Sequence, residues 1–134
     1  MAPAPQTATA VELRTRPSRE RLARMVVTLL DHWKLSPNDQ AALLGLSAQS
    51  RSTVARYRRG EPLADNADLL ARAGHLLGIH KALRILFPHD VDLAYRWISA
   101  PNSRFGTTPL EIMKRHGYEG ILAVRRYLDF ERGR

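Results

Sequence analysis

The chain has 134 residues, 44% of them hydrophobic, with no cysteine and a formal net charge of +8. That length allows one compact domain or two small lobes sharing a core, and the missing cysteine excludes a disulfide framework and a thiolate metal site. No apolar run approaches the roughly 20 residues a bilayer crossing needs, and Met1–Ala10 has neither the cationic start nor the apolar stretch of a secretory leader. A cytoplasmic protein that engages no membrane is expected. The charge is uneven: residues 1–60 carry a net +6 and residues 61–134 a net +2. An excess concentrated in one half points to a polyanion partner for that half.

Residues 1–17 are rich in Pro, Ala and Thr without periodicity and read as a disordered arm. Pro17-Ser18 then opens a helix whose apolar face is Leu22, Met25, Val26, Leu29, Leu30 and Trp33. Ser36 is an N-cap residue and Pro37 suits the first helical position of a short helix carrying Ala41, Leu43 and Leu44. Gly45 fits the left-handed residue that ends it. Leu46 returns to the core and Ser47 is placed to cap the next helix. That helix buries Val54 and Tyr57 and turns Gln49, Ser50, Arg51, Ser52, Thr53, Arg56, Arg58 and Arg59 outward. Ser36–Gly60 is therefore a helix-turn-helix pattern whose outer face carries the donors and cations that read base edges and phosphates.

Asp65 or Asn66 caps a helix with the face Leu69, Leu70, Ala73, Leu76 and Leu77. Gly78 is expected to break it, leaving Ile79, Leu83, Leu86 and Phe87 as a second short face before Pro88. Asp90 or its neighbour starts another short helix with Leu93, Ala94, Trp97 and Ile98. Residues 100–107 form a loop. Thr108-Pro109-Leu110-Glu111 is a capping box with proline at the first helical position. Lys114, Arg115 and His116 fill the last turn, where cations suit the helix carbonyls, and Gly117 stops it. A final helix runs from about Tyr118 to Glu131 with Ile121, Val124 and Leu128 buried. No run alternates with period two, so the fold class is all-α, with boundaries at 1–17, 18–88 and 89–134.

Catalytic chemistry finds little footing. The histidines His32, His75, His80, His89 and His116 form no metal-ligand spacing. No phosphate loop, serine elbow or cysteine nucleophile is present, and Asp90 and Asp92 read as helix-start carboxylates. A binding protein without cofactor or metal is expected rather than an enzyme.

Two modules carry a family resemblance. The stretch DQAALLGLSAQSRSTVARYRRG, followed by DLLARAGHLLGIHKALRILF, resembles an Xre-like helix-turn-helix. The stretch AYRWISAPNSRFGTTPLEIMKRHGYEGILAVRRYL resembles the toxin-binding domain of Xre/MbcA/ParS antitoxins from RES–Xre toxin–antitoxin systems. Trp97, Pro101-Asn102, Phe105, Thr108–Glu111, Gly117 and the last helix fall in the family's order. The resemblance implies a protein that represses its own operon by binding operator DNA, binds a RES-domain toxin that destroys NAD, and holds it inactive through the C-terminal domain. It also implies toxin contacts at Trp97, Asn102, Arg104, Phe105, Arg126, Phe130, Glu131, Arg132 and Arg134, with the C-terminal end at the toxin's NAD cleft. A homodimer is expected, since repressors pair half-sites. A stand-alone regulator with a dimerising or sensing C-terminal domain is the alternative. One departure stands out: Gly45 precedes Val54 by nine positions, where most such motifs use six. The three added residues, around Ala48–Ser50, either lengthen the turn or extend the second helix.

Overall fold

The computed structural model describes residues 14–134. The part of the expected arm up to residue 13 lies outside the described residues. Among the described residues the chain forms seven α-helices: α1 (Arg16–His32), α2 (Pro37–Leu43), α3 (Arg51–Arg58), α4 (Ala67–Leu86), α5 (Val91–Arg96), α6 (Pro109–His116) and α7 (Tyr118–Arg132). Short 3-10 turns at Ala48–Ser50 and Trp97–Ser99 precede α3 and follow α5. The described residues contain no strand, only an isolated bridge between Asn102 and Thr107, so the all-α expectation holds.

Local chemistry sets most helix starts. Ser36, Asn66, Asp90 and Thr108 each accept a hydrogen bond from the backbone N–H three residues on, at 2.9–3.1 Å, satisfying donors the helix leaves unpaired. At Thr108 only this half of the capping box is made, because the Glu111 carboxylate meets Lys114 at 3.4 Å. Helix α1 begins earlier than expected: Thr15 caps it, and Arg14 is paired with Asp65. Arg19 donates to the Leu63 carbonyl at 2.7 Å. These cations near the start of the described chain thus tie α1 to the segment after α3.

Helix α4 is the centre of the molecule. Its buried residues Leu69, Ala73, Leu76, Ile79, Ala82 and Leu83 are distributed around the helix and serve two neighbours, α1 on one side and α7 on the other. The α1 stripe is Ala23, Val26, Val27, Leu29, Leu30 and Trp33. Met25, expected on this stripe, is 50% exposed; it falls just past Leu29, at the edge of the stripe, about 40° further round the helix, and lines a groove with Leu77 and Tyr95. Tyr95 of α5 is sandwiched between His32 of α1 (4.6 Å) and His80 of α4 (5.3 Å) with near-parallel rings, so aromatic stacking fastens α5 to both.

Gly78 does not break α4. A glycine costs a helix only about 1 kcal/mol, and its missing side chain makes room for Arg125 of α7: a Cβ at Gly78 would lie 2.6 Å from Arg125 Cζ. Arg125 Nη1 donates to His75 Nδ1 at 2.8 Å, which leaves His75 Nε2 as the protonated nitrogen that donates to the Tyr118 hydroxyl at 3.1 Å. His75 is thereby held neutral. Burial, and then Arg125 and Arg126, lower its pKa from the ordinary 6.5, and burial does the same for His80. At the α6–α7 turn, Gly117 has φ 59°, and Gly120 lets the two helices touch: a Cβ there would sit 2.2 Å from the Ile112 carbonyl oxygen.

Two stability outcomes follow. Gly120→Ala must push α7 off the α6 backbone, and overpacking of this kind costs about 1–3 kcal/mol; thermal denaturation should show a clear drop in melting temperature. For His75 and His80 the folded state binds protons at lower pH than the unfolded state. Below about 6.5 the unfolded chain therefore takes up protons first, and stability should fall as the pH drops through that range. Melts between pH 8 and 5 check this, and His75→Gln should make the decline shallower.

Candidate functional site

The helix-turn-helix is built as its residues dictate. Gly45 ends α2 with φ 75°, and Arg72 of α4 lies where a side chain at Gly45 would project, 2.8 Å from an added Cβ. The three added residues do not loosen the turn; they form the 3-10 turn Ala48–Ser50 that leads into α3. Ser47 makes no helix cap, its hydroxyl meeting that of Ser50 at 3.1 Å. Val54 and Tyr57 are buried as expected, and the Tyr57 hydroxyl accepts from the Ala64 N–H at 3.4 Å.

Gln49, Arg51, Ser52, Arg56, Arg58 and Arg59 are exposed, with Ser50 and Thr53 half-buried beside them. The side chains of Arg51 and Arg59 have no hydrogen-bond or ion-pair partner among the described residues. Arg56 pairs with Glu61 at 3.2 Å and donates to Thr53 Oγ1 at 3.3 Å. Arg58 is engaged most fully. Its Nε and Nη2 meet both oxygens of Asp31 at 3.0 and 2.9 Å, and Nη2 also donates to Gln40 Oε1 at 2.9 Å. The Arg58 hydrogen bond holds the Asp31 carboxyl below its ordinary pKa, and the Arg58 pKa is raised in turn.

The second surface forms where residues 97–108 meet the end of α7. Asn102 organises the loop. Its N–H donates to the Thr107 carbonyl at 3.0 Å, its carbonyl accepts from Phe105 and Gly106 at 3.1 Å, and its side-chain oxygen accepts from the Arg104 N–H at 2.9 Å. Around the ring of Tyr127 sit Trp97 (6.2 Å, stacked), Phe105 (5.4 Å, edge-on) and the Arg104 guanidinium (5.9 Å). Tyr127, Phe130, Glu131 and Arg134 follow at i, i+3, i+4 and i+7, one stripe of α7 and its extension, and with Asn102, Ser103 and Arg104 they line an open groove of about 470 Å³. Phe130 is 67% exposed. Arg134 pairs with Glu131 at 3.2 Å. Arg132 lies off this stripe, reaching Asp129 at 3.6 Å, and Arg126 is exposed on the neighbouring ridge. Asp129–Arg132 is the last turn of α7 rather than a trailing end.

Of the residues singled out from the sequence, Trp97, Asn102, Arg104, Phe105, Phe130, Glu131 and Arg134 come together here, while Arg126 and Arg132 stand apart. The hub that sequence reasoning missed is Tyr127. Its signal was the aromatic spacing to Phe130, three residues on.

Residues 14–78 match the antitoxin Xre-like helix-turn-helix domain, and residues 82–134 match the antitoxin Xre/MbcA/ParS C-terminal toxin-binding domain. The chain belongs to the Xre/MbcA/ParS antitoxin family. The two matched spans meet within α4, so the division crosses a continuous helix rather than a linker. This antitoxin is also similar to the uncharacterized protein y4oB of Sinorhizobium fredii (strain NBRC 101917 / NGR234), at 40% identity over 106 residues that cover 78% of this chain and 79% of that one. No described helix of the antitoxin is long and apolar enough to cross a membrane.

Proposed function

We propose that this antitoxin neutralises a RES-domain, NAD-degrading toxin through the Tyr127-centred surface and represses its own operon through α3. It acts by binding alone, in the cytoplasm and as a homodimer, without catalysing a reaction. The observation that carries the reading is the pairing of two matched modules with two separately built surfaces, one cationic and one aromatic. Arg51 and Arg59, whose side chains have no partner among the described residues, supply phosphate contacts, with Gln49, Ser50, Ser52, Thr53 and Arg56 beside them toward base edges and backbone. Exposed Phe130 supplies an apolar anchor, and Arg104, Glu131 and Arg134 supply a charged rim around it, the composition expected of a compact interface. The match to a toxin-binding domain favours this over a stand-alone regulator.

The two surfaces should fail independently. Arg51→Ala with Arg59→Ala should weaken operator binding and flatten its salt dependence by roughly 0.9 per lost phosphate contact, while toxin affinity and protection of cells persist. Phe130→Ala with Arg134→Ala should weaken toxin binding by about 2 kcal/mol or more and let cellular NAD fall, while operator affinity holds. Electrophoretic mobility shifts at two salt concentrations, calorimetry with a cognate RES-domain toxin and NAD assays read the four quantities. Loss of both activities in either folded variant contradicts the reading.

A further inference from the structure

At the end of α3, among the described residues, a single guanidinium ties three helices together. We infer that Arg58 is a positioning residue for DNA reading, holding α3 against α1 and α2 through Asp31 and Gln40, and does not itself contact phosphate. This rests on the reading of α3 as the DNA-recognition helix.

The contacts form a closed set. Arg58 stands at the last position of α3, Asp31 near the end of α1 and Gln40 inside α2. The fork of Arg58 takes both carboxylate oxygens of Asp31, a geometry that fixes orientation as well as distance. Gln40 is 4% exposed, and its side chain is satisfied throughout: Oε1 accepts from Arg58, and Nε2 donates to Asp31 Oδ1 at 2.9 Å and to the Leu35 carbonyl at 3.2 Å. An unpaired amide buried that deeply is costly, so the network resists partial opening. Both charged partners are a little under half exposed, so the ion pair adds little to overall stability. Its consequence is geometric. Helix α3 is only eight residues long, and side chains that read bases must be placed to within about 0.5 Å. Arg56 also meets a carboxylate, but that of Glu61, five residues on; among the described residues Arg58 is the cation of α3 that reaches back to α1 and α2 and fixes the helix's end, and Asp31 cancels the charge that phosphate would otherwise attract.

The test uses the full chain with a duplex of the DNA upstream of its own gene and a random-sequence duplex of equal length, over a range of salt. Arg58→Met should weaken binding to the upstream duplex about tenfold or more, with the slope of log affinity against log salt unchanged and random-duplex binding unchanged. Asp31→Asn, which releases Arg58, should also weaken specific binding; a phosphate-contacting Arg58 would make it stronger. The reciprocal pair Asp31→Arg with Arg58→Asp should recover most of the loss, and keeps the test open if Arg58→Met fails to fold. Equal loss on both duplexes with a slope reduced by about 0.9, unchanged affinity in folded Arg58→Met, or no recovery in the reciprocal pair overturns the inference. Arg51→Ala with Arg59→Ala is run alongside. If that variant binds the upstream duplex normally, the assignment of α3 itself fails, whatever Arg58 does.

Discussion

Helix α4 must bury two faces at once, and the rest of the fold depends on that demand. A helix with one apolar stripe packs on one neighbour and leaves the other side to water. Leu69, Ala73, Leu76, Ile79, Ala82 and Leu83 instead wrap α4 widely enough to seat α1 and α7 together. The helix-turn-helix and the C-terminal domain therefore share a core. Gly78 and Arg125, with His75 behind them, close the C-terminal side of this contact. Arg72 adds a second tie, reaching from α4 to the Gly45 turn and to within 3.6 Å of a side chain built at Gly117. Lys114 of α6 completes the junction by meeting Asp39 of α2 at 3.0 Å.

On this common frame the two surfaces use different chemistry. The α3 surface is polar and cationic, suited to a polyanion met in water, where affinity is salt-dependent and comes largely from phosphate neutralisation. The α7 surface is aromatic at its centre and charged at its edge, suited to a protein partner that excludes water over a small area. Asn102 shows how such a site is stiffened from within: its backbone and side-chain groups hold the loop that presents Arg104 and Phe105.

Signals confined to a few neighbouring residues were legible in the sequence. Ser36-Pro37, Asp90 and Thr108-Pro109 mark helix starts because a cap acts within one turn, and Gly45 and Gly117 mark stops because only local backbone geometry is involved. Features that depend on a distant partner were not. Gly78 reads as a breaker until Arg125, 47 positions away, is seen to fill its space. Arg58 reads like its neighbours Arg56 and Arg59, because nothing near it in sequence announces Asp31, 27 positions earlier. Met25 reads as part of the apolar stripe because it stands three from Leu22 and four from Leu29, yet it falls at the stripe's edge, where burial depends on what packs beside it. At the Tyr127 surface the loop and the α7 stripe were each visible, but the ring that joins them acquires its role only when the chain folds back.

On the shared core, simultaneous use of the α3 and Tyr127 surfaces is expected. It is tested most directly by titrating the toxin into a preformed antitoxin–operator complex and measuring the mass of the DNA-bound species by light scattering. The DNA-bound species should gain toxin mass without releasing DNA. Stoichiometric release of DNA as toxin is added would contradict it, because the two surfaces would then be overlapping or mutually exclusive.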